Sequence, residues 1–274
     1  MSASPLITLN SGHTMPQLGL GVYKVGQDIA VNLVSLALEI GYRRIDTAAL
    51  YDNEFEVGAA IRASKLEREE VFVTSKIWND RHGYDNATEA IQESIDRLNI
   101  GYVDMMLIHW PCPKQDKFVE TWGAFEDALE TGKVRSIGVS NFLPHHLEKL
   151  LASTNVTPAI NQVELHPQLA NVELRAFNQA HGIATEAWAP LGRAKFLDHP
   201  TLAEIAGRQG KTPAQVVIRW HLQLGNLVIP KSSNPQRLEE NFDVFGFALT
   251  DEDMARLATL NTETRLATHP DDMN

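Results

Sequence analysis

The chain lacks the features that would suit an extracellular or membrane-bound protein. It has one cysteine, Cys112, so no disulfide can form within it, and this favours a reducing compartment. No run of about 18 apolar residues occurs, and the opening MSASPLITLN has neither the basic start nor the long apolar stretch of a signal peptide. We therefore predict a cytoplasmic protein that is neither exported nor anchored in a membrane.

The chain also has fewer basic residues than acidic ones. Lys and Arg together number 24 against 35 Asp and Glu, so the formal net charge is −11. A surface of that sign repels nucleic acids and anionic membranes. Neither is therefore expected as a partner.

Short apolar, β-branched runs alternate with longer amphipathic stretches along most of the chain. The runs read as eight strands: GLGVY, YRRID, VFVTSK, VDMMLIH, VRSIGVS, AINQVEL, IATEAWAP and NLVIPKS. Helices are predicted at AVNLVSLALEIG, NATEAIQESIDRLNI, FVETWGAFEDALETG, PHHLEKLLAS, VELRAFNQA and TPAQVVIRWHLQLG. This alternation predicts an α/β protein, a single (β/α)8 TIM barrel whose one domain spans residues 1–274. The opening ITLNSGHTMPQLG reads as a β-hairpin in front of the barrel.

The main alternative to a barrel is a doubly wound open sheet. Such a sheet normally binds a dinucleotide through G-x-G-x-x-G after its first strand. Here Gly19 and Gly21 lack the third glycine. The barrel is therefore favoured, and any dinucleotide must be held in another way.

Four polar residues end or follow predicted strands. Asp46 closes YRRID, Tyr51 lies in the next loop, Lys76 ends VFVTSK, and His109 ends VDMMLIH. Neighbouring parallel strands lie ~5 Å apart, so these side chains would meet at the end of the barrel where active sites lie. A phenol whose pKa is lowered by an ammonium, itself held by a carboxylate, can protonate a carbonyl oxygen, and His109 would fix that carbonyl.

Taken singly, each of these residues has a structural interpretation. Asp46 and Lys76 could be a buried ion pair, Tyr51 could serve packing, and His109 could be a core histidine with satisfied hydrogen bonds. Their joint placement at strand ends favours catalysis.

A second cluster follows the eighth predicted strand. In VIPKSSNPQRLEEN, Asn234 suits a helix N-cap, Pro235 suits the first helical position, and Lys231 and Arg237 flank that helix start. A helix N-terminus with two cations suits a phosphate, and barrels commonly bind one after strands seven and eight. The sequence pattern by itself favours a capped surface helix with solvated charges over a phosphate site.

The chain resembles the aldo-keto reductases in five segments that occur in the family's order: GYRRIDTAALYDNE, VDMMLIHWP, GVSNF, NQVELHP and VIPKSSNPQRLEENFDVF. Within that family it is most similar to the bacterial 2,5-diketo-D-gluconate reductases, through KIWNDRH, KTPAQVVIRWHLQ, EAWAPLG and a short tail ending HPDDMN. The resemblance implies that the hairpin closes the bottom of the barrel. It also implies a monomer, since the short-tailed bacterial members often are.

The resemblance further implies NADPH as the cofactor. The 2′-phosphate is assigned to Lys231 and Arg237, and the nicotinamide carboxamide to Ser140, Asn141 and Gln162. Trp188 would stack on the nicotinamide ring, although a tryptophan there is otherwise a common packing residue. The other implied cofactor contacts are Gly21, Val22, Tyr23, Leu191, Gly192, Ser232, Ser233, Asn234, Glu240 and Asn241.

Aromatic residues are predicted to line the substrate pocket, or else to pack at its rim. With His109, these are Tyr23, Trp78, Asn79 and Trp110. In the family the tail after Leu260 shapes substrate choice, so its shortness predicts an open, permissive site. The expected reaction is the reduction of small aldehydes and ketones, 2,5-diketo-D-gluconate to 2-keto-L-gulonate above all, with methylglyoxal and β-keto esters as further candidates.

Two other functions are compatible with parts of the pattern. Lys76 could be the Schiff-base nucleophile of a barrel aldolase, with Asp46 and Tyr51 moving protons. Alternatively, the protein could bind NADPH as a sensor or structural protein without catalysis. The ordered reductase segments disfavour the first alternative, and the complete set of four residues disfavours the second.

No metal site is predicted. The chain contains no H-E-x-x-H and no clustered Cys/His spacing. His145 and His146 are placed on a surface helix, and His166 lies in a family motif that is structural.

Overall fold

The computed structural model describes residues 4–274. In that part of the chain the strands are β1 Leu6–Thr8, β2 Thr14–Pro16, β3 Leu20–Gly21, β4 Arg44–Asp46, β5 Phe72–Ile77, β6 Met105–Ile108, β7 Ile137–Ser140, β8 Ile160–Glu164, β9 Ala184–Trp188 and β10 Leu227–Val228. The helices are α1 Gln27–Ile40, α2 Glu54–Ala63, α3 Tyr84–Leu98, α4 Phe118–Glu130, α5 Pro144–Leu151, α6 Val172–Ala180, α7 Pro200–Gln209, α8 Pro213–Gln223, α9 Pro235–Phe242 and α10 Asp251–Ala258.

Strands β3 to β10 form one parallel sheet in sequential order. The sheet closes on itself, because the amide of Gly19 donates to the carbonyl of Val228 (2.9 Å) and the amide of Val228 donates to that of Gln17 (2.9 Å). The predicted (β/α)8 barrel is therefore confirmed. All six residues of β5 are buried, as expected of a strand that has helices on one side and the barrel interior on the other.

The antiparallel hairpin of β1 and β2 closes the bottom of the barrel, as predicted. Its Leu9 and Met15 pack in one apolar cluster with Phe72, Met105 and Leu227, which begin strands β5, β6 and β10. The side-chain amide of Asn10 also donates to the carbonyl of Pro158 (2.9 Å), just before β8. The open, C-terminal end of the barrel is thus left for a site.

The helices lie close to the predicted stretches, and α6 matches its stretch residue for residue. Helices α2, α7 and α10 have no counterpart among those predictions. Start signals for α7 and α10 are present in the sequence: Pro200 is the first residue of α7, and the Thr250 hydroxyl accepts from the amide of Asp253 at the start of α10. In α10 the sequence DEDMARLA has only eight residues, four of them charged, so it is too short to show a helical period clearly. No helix within residues 4–274 has the length and apolar character needed to cross a membrane.

Candidate active site

The structure brings Asp46, Tyr51, Lys76 and His109 together at the C-terminal end of the barrel. Asp46 ends β4, and Lys76 is the fifth residue of the neighbouring β5. The Lys76 Nζ donates to Asp46 Oδ1 (2.6 Å) and to the carbonyl of Thr47 (2.8 Å), and it lies 3.4 Å from the Tyr51 hydroxyl. Tyr51 reaches this point from a single helical turn, Ala49–Tyr51. An ammonium with these partners is fixed beneath the phenol.

The protonation states in this cluster depend on burial and on the ion pair between Lys76 and Asp46. Burial by itself lowers the pKa of Lys76, but Asp46 opposes it, and the net pKa is raised above its usual value. Burial raises the pKa of Tyr51 to about 12, against the opposing effect of Lys76. Lys76 lowers the pKa of the phenol, as expected, but desolvation of the phenolate outweighs the ammonium, so the pKa of Tyr51 stays above its usual value. Tyr51 is a protonated donor at neutral pH.

His109 follows β6 and presents a neutral imidazole. Burial, with a smaller effect from Lys76, holds its pKa well below 6.5. Its ring makes edge contacts with Trp78 (5.0 Å between ring centroids) and Tyr51 (5.8 Å). Among the residues that the structure describes, its Nδ1 has no hydrogen-bond partner. A neutral imidazole here can hold a carbonyl oxygen without competing for the proton.

These pKa directions predict a flat pH profile for carbonyl reduction. Tyr51 loses its proton only near pH 12, and His109 gains one only well below pH 6.5, so neither changes its state between about pH 6 and about pH 9. We expect kcat/KM for reduction to vary less than about threefold over that range, measured from initial rates at constant ionic strength. A fall in rate with a midpoint near pH 8 would show that the phenol titrates far lower than the structure implies.

A cavity of about 690 Å³ lies above this cluster. The predicted site residues that line it are Gly21, Tyr23, Asp46, Tyr51, Trp78, His109, Trp110, Ser140, Asn141, Gln162, Trp188, Leu191 and Lys231. Outside its lining are Val22, Lys76, Asn79, Gly192, Ser232, Ser233, Asn234, Arg237, Glu240 and Asn241. Sequence reasoning missed eleven lining residues: Lys24, Leu50, Ala189, Pro190, Arg193, Ile229, Pro230, Leu266, Ala267, Thr268 and Met273.

One wall of the cavity carries amide and hydroxyl groups with fixed orientations. The Asn141 side-chain nitrogen donates to the carbonyl of His109 (2.9 Å) and to the Ser140 hydroxyl (3.1 Å). The Asn141 oxygen accepts from the indole of Trp188 (2.8 Å), and the Ser140 hydroxyl donates to the carbonyl of Gln162 (2.8 Å). Trp188 is thereby held by its indole nitrogen at the edge of the cavity.

A buried charge network behind this wall was also missed. The Gln162 side-chain nitrogen donates to Asp46 (2.8 Å) and to Glu186 (2.9 Å), and Glu186 pairs with Arg44. Arg44, Lys76 and Glu186 have no exposed surface. One pattern in the sequence indicates the positions of Arg44 and Glu186. Arg44 lies two residues before Asp46, and Glu186 lies two residues before Trp188. Because side chains alternate along a strand, Arg44 shares the inward face of its strand with Asp46, and Glu186 shares that of its strand with Trp188.

The loop after β10 has the predicted helix cap. The Asn234 side-chain oxygen accepts from the amide of Arg237 (3.1 Å) at the start of α9. Lys231 and Arg237 are exposed, whereas Ser232 and Asn241 are buried. Glu240 accepts a hydrogen bond from Gln236 (3.0 Å). The exposed cations and the helix N-terminus leave this loop open to an anion.

The segment after Leu260 is held against the cavity by a buried carboxylate. Glu164, at the end of β8, accepts from the backbone amides of Leu266 (2.6 Å) and Ala267 (3.1 Å) and contacts His166 (3.1 Å). Leu266, Ala267, Thr268 and Met273 line the cavity. The tail therefore forms one wall of the cavity.

A second contact of the tail involves two histidines of α5. His145 Nε2 lies 3.0 Å from Asp271 Oδ1, and His146 Nε2 lies 3.1 Å from it, although poorly aligned for a hydrogen bond. His146 is 3% exposed and lies on the buried face of α5, whereas His145 is exposed. These are the three side chains within residues 4–274 whose ligand atoms converge as in a metal site. However, His146 Nδ1 accepts from the amide of Leu143 (3.1 Å), so the neutral ring carries its proton on Nε2, which suits a carboxylate and not a cation.

Comparison with known proteins agrees with this geometry. Residues 17–262 match the model of the Aldo/keto reductase family. An aldo-keto reductase of Mycobacterium sp. strain JLS is 50% identical over 99% of this chain and 98% of its own, and an Escherichia coli methylglyoxal reductase is 45% identical over 99% and 98%. The crystal structure of a mutant of Gox0644 in complex with NADPH covers all of both chains with a TM-score of 0.96 at 44% identity, and that of a Bombyx mori aldo-keto reductase with NADP covers 100% and 98% with a TM-score of 0.92 at 36%. The chain belongs to the aldo/keto reductase family.

Proposed function

We propose that the protein reduces small aldehydes and ketones to alcohols with NADPH. The observation that carries the proposal is the fixed contact of Lys76 with both Asp46 and the Tyr51 hydroxyl, at the floor of a cavity that also holds neutral His109. When bound, the cofactor supplies the hydride. The protein must then supply a proton and a place for the carbonyl.

The residues of the site fit that cofactor. Ser140 and Asn141 use their hydrogen-bond donors internally, and the oxygen of each also accepts one internal hydrogen bond. Each oxygen keeps a second lone pair, which suits the N–H groups of a carboxamide. Lys231, Arg237 and the N-terminus of α9 suit a phosphate. At Gly21, a side-chain Cβ would lie 3.1 Å from the carbonyl oxygen of Ile229, so the glycine allows these two cavity-lining residues to lie close together. We propose that the other cofactor residues named above contact the rest of the cofactor, with Glu240 and Asn241 on its adenine side.

The protein's own groups divide the remaining work. His109 holds the carbonyl oxygen by a hydrogen bond, and Tyr51 donates its proton to that oxygen. The phenolate that remains lies 3.4 Å from the Lys76 ammonium, which stabilises it, and Asp46 keeps Lys76 charged. Trp78, Trp110 and Tyr23 supply apolar walls, with Asn79 behind Trp78 in the same loop.

The contacts of Lys76 weigh against an aldolase. A Schiff-base lysine must attack as a neutral amine, so its pKa has to be lowered. Here the pKa of Lys76 is raised, and its Nζ is engaged by Asp46, Thr47 and Tyr51. A non-catalytic NADPH sensor is disfavoured as well, because it would need none of the contacts around the Tyr51 hydroxyl.

We further propose that the substrates are dicarbonyl compounds, with 2,5-diketo-D-gluconate reduced to 2-keto-L-gulonate, and methylglyoxal and β-keto esters as related substrates. Two observations support this class. The cations Lys24 and Arg193 line the cavity, which suits an acidic substrate, and the 45% identical relative from Escherichia coli is named a methylglyoxal reductase. We also propose that the enzyme is a cytoplasmic monomer, and that it consists of one domain and holds no resident metal.

The test is NADPH consumption by the purified protein with 2,5-diketo-D-gluconate, methylglyoxal, a β-keto ester and an aromatic aldehyde. We expect turnover on all four and the highest kcat/KM on a dicarbonyl. Highest activity on the aromatic aldehyde would contradict the substrate class while keeping the reductase. Tight NADPH binding without turnover on any of them would contradict the reductase and favour a sensor.

A further inference from the structure

A line of buried polar groups crosses the barrel from Arg44 to Lys76. Arg44 and Asp46 lie on β4, and Gln162 and Glu186 lie on β8 and β9, on the far side of the barrel. Gln162 and Glu186 are adjacent in register, and the Gln162 nitrogen reaches across to Asp46. Lys76 and Asp46 belong to the proposed chemistry, whereas Glu186 lies outside the cavity lining and has no role there.

The two carboxylates dictate which way the Gln162 amide faces. Its nitrogen donates to Asp46 Oδ2 (2.8 Å) and to Glu186 Oε2 (2.9 Å), so both of its N–H groups are used. The reverse orientation would set the amide oxygen against two carboxylate oxygens. Within the described residues the Gln162 side-chain oxygen makes no hydrogen bond, and Gln162 lines the cavity. It therefore offers the cavity an acceptor only.

Arg44 in turn fixes Glu186. It donates to Glu186, to the carbonyl of Pro16 (2.8 Å) and to that of Val228 (3.3 Å). A guanidinium has donors and no acceptor, so whatever residue 186 turns towards Arg44 must accept. Glutamate can satisfy Arg44 with one oxygen and Gln162 with the other.

We propose that Glu186 is a positioning residue for the cofactor: with Asp46 it turns the Gln162 oxygen towards the cavity, so that the site selects a ligand amide through its N–H donors. This inference rests on the proposed use of NADPH. It identifies the cofactor's carboxamide NH₂ as the group that is recognised, and it gives Arg44 and Glu186 a function beyond packing.

The substitution Glu186→Gln should reverse this selection. Arg44 would turn the new amide's oxygen towards itself, which leaves an NH₂ group facing Gln162. Gln162 can accept from that group only by turning its oxygen away from the cavity, and its NH₂ group then takes the oxygen's place facing the cavity. Gln162 would then present a hydrogen-bond donor to the cavity in place of an acceptor, and the volume of the cavity would change little.

The measurement compares NADP⁺ with its 3-acetylpyridine analogue, which replaces the carboxamide by a group that has no N–H. Dissociation constants come from quenching of tryptophan fluorescence. We expect the wild-type protein to bind the analogue at least about 10-fold more weakly than NADP⁺, and the Glu186→Gln variant to bind the two within about threefold. The control is Glu54→Gln, a buried glutamate that pairs with Arg97 and Ser75 and touches none of this network. It should keep the wild-type ratio.

Other outcomes separate the inference from the proposed function. An unchanged ratio in Glu186→Gln, or a wild-type protein that binds both ligands equally, would overturn the role of Glu186 alone. Binding of neither ligand by the wild-type protein would overturn the use of NADP(H) as well. Should Glu186→Gln fail to fold, the apolar pair Arg44→Met with Glu186→Leu removes the same acceptor without leaving a buried charge unpaired. Asp46 alone then holds the Gln162 amide, so the ratio should fall below the wild-type value but by less than in Glu186→Gln.

Discussion

Replacement of Tyr51 by Phe is expected to lower kcat for carbonyl reduction by about a thousandfold, because general-acid catalysis is typically worth about 10²–10⁴-fold. The Tyr51 hydroxyl is the group within 3.4 Å of Lys76 that can give a proton to an oxygen above it. Phenylalanine keeps the ring and its contact with Tyr23, at 5.0 Å between ring centroids, so cofactor binding should change less than about twofold. Steady-state rates and an NADPH titration measure the two effects.

A matched control removes a phenol hydroxyl elsewhere. Tyr102 has a hydroxyl without a partner in the described part of the chain, and its ring lies between Arg68 and Arg135. Tyr102→Phe should leave kcat unchanged. Turnover in Tyr51→Phe within about tenfold of the wild-type value would show that another group donates the proton.

Loss of the two cations at α9 is the second large effect. We expect Lys231→Ala with Arg237→Ala to raise the Kd for NADPH about a hundredfold, since each charge-assisted hydrogen bond to the 2′-phosphate should be worth about tenfold at these exposed positions. The Kd for NADH, which lacks that phosphate, should change less than about threefold. The ratio of the two constants is the readout, and the effect should shrink at high salt.

The control for this pair must remove the same charge. Lys65 and Lys133 are exposed lysines that lie outside the cavity lining, and the double variant Lys65→Ala with Lys133→Ala also removes two positive charges. It should bind NADPH as the wild-type protein does. A loss of NADH affinity as large as the loss of NADPH affinity would show that Lys231 and Arg237 hold a group common to both cofactors.

The sequence was sufficient to predict the barrel, the hairpin in front of it and the strand ends that carry Asp46, Lys76 and His109. These depend on local periodicity and on the rule that parallel strands end at one edge. The pairing of Arg44 with Glu186 could not be predicted, because it joins residues 142 positions apart across a closed barrel. The net pKa of Tyr51 was equally out of reach, since it depends on how deeply the loop buries the hydroxyl.

The functional assignments also differ in what supports them. Family membership follows from the segments and the comparisons together, whereas the roles of individual site residues remain predictions. The tail is the clearest case of a structural surprise. Its length was visible in the sequence, but its position depends on Glu164, whose partners are backbone amides and therefore leave no trace in the residue types.

The tail is anchored through its backbone amides, and this leaves its side chains free to vary. The amides of residues 266 and 267 exist whatever side chains stand there, except proline, so substitutions at Leu266 and Ala267 leave the link to Glu164 intact. Yet these same side chains line the cavity. Substrate preference can therefore drift by mutation of the tail while the scaffold keeps its stability, and a library confined to Leu266, Ala267, Thr268 and Met273 would sample new specificities in folded proteins.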